Sequence, residues 1–153
     1  MFRIANETVL KDTFRELDRD EVVVPAELRF PLGVKDYIAW LEPSGHRAYL
    51  VFIDPASDKP MGIVFHRPHA KSEGINHMCE WCHCVRGSGG VGLMTAIATS
   101  RRRVGIELCT DLGCKDKIKS PPGINDIRES LDPAQRVERV LKRMSDFARR
   151  NLI

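Results

Sequence analysis

Apolar positions fall at helical spacing at both ends of the 153-residue chain. Near the N-terminus, NETVLKDTFRELD (residues 6–18) places Val9, Leu10, Thr13, Phe14 and Leu17 on one helical face, with Asn6 or Thr8 as the cap. Near the C-terminus the pattern is stronger. A helix starts at DPAQ, where Asp132 is the N-cap, Pro133 takes the first helical position and Gln135 completes a capping box. Val137, Val140, Leu141, Met144, Phe147 and Ala148 share its apolar face. Between the helices the period changes to that of strands. EVVVPAEL is a short β-branched run ended by Pro25, and the apolar runs 48–53 and 61–65, joined by DPASDKP, predict a hairpin with a long loop. VGLMTAIAT and RRVGIEL predict two further strands around an arginine-bearing turn. GSGGVG follows no predicted strand and opens no helix, so it reads as a flexible linker.

These elements predict an α+β fold: antiparallel strands with a long C-terminal helix and an N-terminal helix over residues 1–21, ahead of one domain over 22–153. A hydrophobic fraction of 42% over this length suffices for a core without covalent staples. The longest apolar runs, such as AYLVFI, fall far short of the roughly 20 residues of a membrane helix, and no signal pattern is present, so a soluble cytoplasmic protein is expected. The net charge of +3 does not announce a nucleic-acid binder. Its distribution says more: Arg101, Arg102 and Arg103 form a run, and Arg136, Arg139, Lys142, Arg143, Arg149 and Arg150 load the last helix.

Three of the five cysteines crowd into MCEWCHC. In a reduced compartment such a cluster points to a metal or to catalysis rather than to disulfides. Cys79 and Cys82 form a C-x-x-C pair, Cys109 and Cys114 a C-x-x-x-x-C pair, and two strands and a turn separate them. Knuckle, hairpin, then a second pair at a helix N-terminus is the order of a treble-clef zinc finger, in which four thiolates close a tetrahedral structural site around one zinc ion. The helix N-terminus helps stabilise the thiolates. A redox C-x-x-C belongs at a strand-to-helix junction instead. Cys84 is read as a free thiol outside the set, His83 as a neighbouring or surface residue, and Trp81 as packed over the site. HRPHA reads as a histidine-containing loop, because Pro68 disfavours helical spacing of His66 and His69.

The segments RAYLVFID, DKPMGIVFHR, MCEWC, VGLMTAIA, VGIELCTDLGC and RVERVLKRMSDFARRNL together resemble the C-terminal treble-clef zinc-finger domain of the elongation factor G-binding proteins, the fusidic-acid-resistance type, from about Val22 to Leu152. The resemblance implies zinc on Cys79, Cys82, Cys109 and Cys114. It also implies a non-catalytic role, docking on elongation factor G to help free it from a stalled ribosome. Larger members carry an N-terminal helical bundle, where this chain offers one helix before Val22.

Three functions are carried forward. The first is a zinc-stabilised adaptor for elongation factor G, with Arg101, Arg102 and Arg103 and the basic face of the last helix as contact surfaces. The alternative is RNA or ribosome binding through Arg86 and the same arginines, with Trp81 or His83 as the stacking partner. An enzyme would need an open metal position or a low-pKa cysteine beside a base, for which Cys84 next to His83 is the sole pair, and none is expected.

Overall fold

The computed structural model describes residues 1–69, 75–124 and 126–153. The chain opens with β1 (Phe2–Ile4), α1 (Glu7–Asp12) and α2 (Glu16–Arg19), then β2 (Leu32–Val34), which pairs antiparallel with β1. Next come β3 (Tyr37–Leu41), β4 (Arg47–Ile53) and β5 (Pro60–His66), a meander in which β4 pairs with both neighbours. β6 (His77–Met78) and β7 (Val85–Arg86) form a small hairpin. β8 (Val91–Thr99) and β9 (Arg102–Cys109) complete a five-stranded antiparallel sheet of order β3-β4-β5-β8-β9. α3 (Cys114–Lys119) and α4 (Pro133–Asn151) finish the chain.

The sheet is covered on both faces, and β4 shows why its sequence runs apolar without a break. Ala48, Leu50 and Phe52 point to one face, where they join Ile63, Phe65, Met94, Leu108, the cysteines, Ile118 and the apolar stripe of α4. Tyr49 and Val51 point to the other, against Ile4, Leu10, Phe14, Val22 and Val34 from the N-terminal segment. The α4 prediction matches in detail: Asp132 accepts from the Gln135 backbone N–H, Gln135 returns the bond, and Val140, Met144, Phe147 and Ala148 are buried. No helix among the described residues is long and apolar enough to cross a membrane.

Two expectations are corrected. The N-terminal helix is two short helices, α1 capped by Asn6, with a break at 13–15. The break lets Phe14 lie over Gly62, where a Cβ would come within 2.6 Å of its ring. At the same break the Arg15 guanidinium donates to the carbonyls of Ile97, Ala98 and Leu152. GSGG is an ordered turn from β7 into β8: Ser88 and Gly89 are left-handed, Gly90 N–H donates to Gly87 O, and the Thr110 hydroxyl donates to Gly89 O at 2.6 Å. The strand predicted over RRVGIEL is β9, which begins at Arg102 as expected and leaves Arg101 in the turn.

Candidate metal centre

Each cysteine pair is presented by a backbone turn. In the first, His83 N–H donates to Cys79 O at 2.8 Å and Cys79 N–H to Cys84 O at 2.9 Å, folding β6 back into β7. The turn needs a left-handed residue, and His83 supplies it with φ 66°. In the second, Leu112 N–H donates to Cys109 O at 3.0 Å, Leu112 itself is left-handed at φ 56°, and Cys114 is the first residue of α3. The Tyr37 hydroxyl clamps this turn, donating to Leu112 O and accepting from Lys115 N–H, both at 2.9 Å.

The two turns bring four sulfurs together. The Sγ atoms of Cys79, Cys82, Cys109 and Cys114 all lie within 4.8 Å of one another and are buried, with Cys79–Cys114 at 3.7 Å and Cys82–Cys109 at 3.6 Å. Sulfurs at about 2.3 Å from one tetrahedral ion stand about 3.8 Å apart, so the spacing fits zinc in a closed, structural site. The charge chemistry agrees. Sulfur hydrogen bonds, led by those with Cys109, pull the Cys82 and Cys84 thiols down to about 4, while Cys109 is pushed far up, chiefly by Cys114. Such a cluster holds thiolate that a divalent cation neutralises. Burial alone would lower Lys117, but the negative charge shared by the sulfur cluster, then Asp111 at 3.1 Å, keeps its ammonium protonated.

Around the cage the sequence is used for packing. Trp81 is buried as expected, edge-on to Phe65 at 5.8 Å and to Phe147 at 6.1 Å. The His83 ring is held at both nitrogens, Nδ1 by Glu129 and Nε2 by Arg143. Glu129 is also ion-paired to Arg136 at 2.8 Å and to Arg139 at 2.6 Å. Asp126 accepts from Val85 N–H and from Arg86, each at 2.7 Å, so the segment before α4 is fastened to the knuckle twice.

Cys84 is a free thiol outside the four-cysteine set, as expected, but sequence reasoning missed its contact with that set. Cys84 is buried and its Sγ lies 3.3 Å from that of Cys109, in contact with the cage rather than apart from it. Its place two residues after Cys82, directly following the turn, was the available signal. The histidines stay outside: among the described residues the four cysteines are the single group able to hold a metal, His66 stands 3.8 Å from Glu21, and the His69 ring packs on His46. Arg101, Arg102 and Arg103 are exposed, and none makes a side-chain bond to another described residue. The basic face of α4 is largely spoken for, with Arg136, Arg139, Arg143 and Arg149 paired to Glu129, His83 and Asp54.

The family model described as the FBP C-terminal treble-clef zinc-finger matches residues 10–150. No curated protein matches the chain. Among solved structures, that of the fusidic acid resistance protein FusC matches at 20% identity with a TM-score of 0.50, over 74% of this chain and 50% of that one. The chain thus spans half the length of FusC, and the likeness shows a shared fold.

Proposed function

The chain belongs to the FBP C-terminal treble-clef zinc-finger family, and on that premise we propose that it is a non-catalytic, cytoplasmic adaptor that docks on elongation factor G and modulates its release from the ribosome. One zinc ion on Cys79, Cys82, Cys109 and Cys114 holds the docking domain together. The observation that carries this reading is the cage itself: four buried sulfurs within 4.8 Å of one another, enough to fill all four positions of a tetrahedral zinc ion. His83, the base nearest Cys84 in sequence, has both ring nitrogens engaged elsewhere. A site of this kind builds a surface rather than a reaction centre.

One surface with exposed cations is the β8–β9 tip, where Arg101, Arg102 and Arg103 stand together. Their charge suits an acidic face on a translation factor. A link to fusidic acid resistance follows from the likeness to FusC and forms part of the same proposal. The RNA alternative keeps the arginines and His83 but loses Trp81 as a stacking partner, because Trp81 is 1% exposed.

Calorimetric titration of the zinc-loaded protein into elongation factor G at low and high salt tests the proposal, with the Arg101, Arg102 and Arg103 triple-alanine variant beside it. Micromolar or tighter binding that the variant loses is expected. Absence of binding at either salt, with binding to ribosomal RNA instead, would replace the adaptor reading by the RNA one.

A further inference from the structure

Zinc in this fold uses four thiols, and the protein places a fifth against them. Cys84 Sγ is 3.3 Å from Cys109 Sγ, closer than the 3.6 Å of Cys82–Cys109 or the 3.7 Å of Cys79–Cys114. The difference between these pairs is chemical as well as metric. Joining two cage sulfurs requires both to leave the metal, whereas joining Cys84 to Cys109 requires only one to leave. Cys84 is therefore placed as a resolving thiol for its neighbour.

We propose that Cys84 and Cys109 form a redox pair: a small hydroperoxide oxidises them to a disulfide and the zinc is released. The proposal rests on the four-thiolate site set out above. The Cys109 sulfur attacks the outer oxygen of the hydroperoxide, breaking the O–O bond and becoming a sulfenic acid; the alkoxide or hydroxide formed takes a proton from solvent. The sulfenic acid no longer holds the metal. The Cys84 sulfur then attacks the Cys109 sulfur, forming the S–S bond and displacing hydroxide, which takes a proton from solvent and leaves as water. Two electrons pass from the two sulfurs to the peroxide, and the three remaining thiolates hold zinc weakly enough to lose it.

Burial selects the oxidant. Cys84 is 4% exposed and Cys109 is fully buried, so burial disfavours a bulky disulfide as oxidant relative to hydrogen peroxide. The release has a structural consequence, because Cys109 ends β9 and Cys114 begins α3 on the far side of the same turn.

The test treats the zinc-loaded full chain with hydrogen peroxide, follows zinc with a chromogenic metal indicator and maps cross-linked peptides by mass spectrometry. One zinc per chain is expected in step with a Cys84–Cys109 peptide pair, reversed by reductant and added zinc. Cys84→Ser and Cys84→Ala, which keep the four cage thiols, are expected to release zinc at least about tenfold more slowly. Equal release from these variants, or cross-links that join other cysteines, would overturn the inference while leaving the zinc site standing. If neither variant folds, the cross-link map of the unaltered chain decides. A purified protein that binds no zinc would overturn the zinc site and the redox pair together.

Discussion

His83 Nδ1 lies 3.2 Å from Glu129 Oε1, tying the left-handed corner of the first cysteine turn to the segment that leads into α4. Arg143 approaches the other ring nitrogen and donates to Glu80 O at 2.7 Å, so the helix and its leader grip the turn from two sides. The tautomer follows: Nδ1 carries the proton for the carboxylate and Nε2 accepts from Arg143. The Arg139 guanidinium, with His83 and Arg136, holds the Glu129 carboxyl at about 2, against an ordinary 4.5.

Replacing Glu129 by alanine is expected to cost about 1–2 kcal/mol in urea unfolding at neutral pH, because two guanidiniums and a histidine lose their shared partner. The sign with pH is fixed by a lowered folded-state pKa: the contribution is complete above 4.5 and fades as pH falls towards 2. Carbon NMR of the Glu129 carboxyl should show it still ionised at pH 4.5, where an ordinary glutamate is half protonated.

Tyr37→Phe removes the hydroxyl that bonds Leu112 O and Lys115 N–H and leaves both without that partner. A loss of about 1–3 kcal/mol is expected, measurable by denaturant melts of the zinc-loaded protein. Burial, and then the nearby Cys114, push the Tyr37 hydroxyl far above the usual phenol range. Ultraviolet titration should therefore show it un-ionised until the protein unfolds.

Asp54 is fully buried at the end of β4, and the Ser145 hydroxyl donates to it at 2.7 Å while Arg149 pairs with it. Burial by itself would raise its pKa, but Ser145, the Ala56 N–H, Ser57 and Arg149 together hold it below the ordinary value. Asp54→Ala should lower stability by about 2–3 kcal/mol by unfastening α4 from the β4–β5 loop, discounted for the half-exposed Arg149. Because the folded-state pKa is lowered, the stabilising contribution is present at neutral pH and is lost on acidification below the ordinary aspartate range.

Features governed by local chemistry were legible in the sequence. The capping box of α4 involves residues 132 to 135 alone, and both cysteine turns lie within short spans, so the helix start and the four-thiol set could be read from spacing. Features governed by distant partners were not. The break after α1 is where Phe14 meets Gly62 and Arg15 meets carbonyls more than eighty residues away. The glycine turn is ordered by Thr110, and three of the six α4 cations, Arg136, Arg139 and Arg149, are paired with carboxylates elsewhere in the chain. Cys84 was readable as a free thiol outside the four ligands, but its contact with Cys109 depends on how the two cysteine turns fold together.

Removing zinc with a strong chelator should unfold the domain, since a structural site of this type contributes about 10–16 kcal/mol, comparable with the whole stability of a small domain. Cys109→Ser is expected to give the same result without a chelator, as a poorly soluble or unfolded chain. Circular dichroism before and after chelation reads the loss of α4 and the sheet.

Zinc-edge X-ray absorption on the purified protein tests the central claim most directly. The account predicts one zinc per chain with four sulfur neighbours at about 2.3 Å and no oxygen or nitrogen in the first shell. A protein that is folded and stable without metal, or a zinc shell in which a histidine nitrogen or water replaces one sulfur, would contradict it.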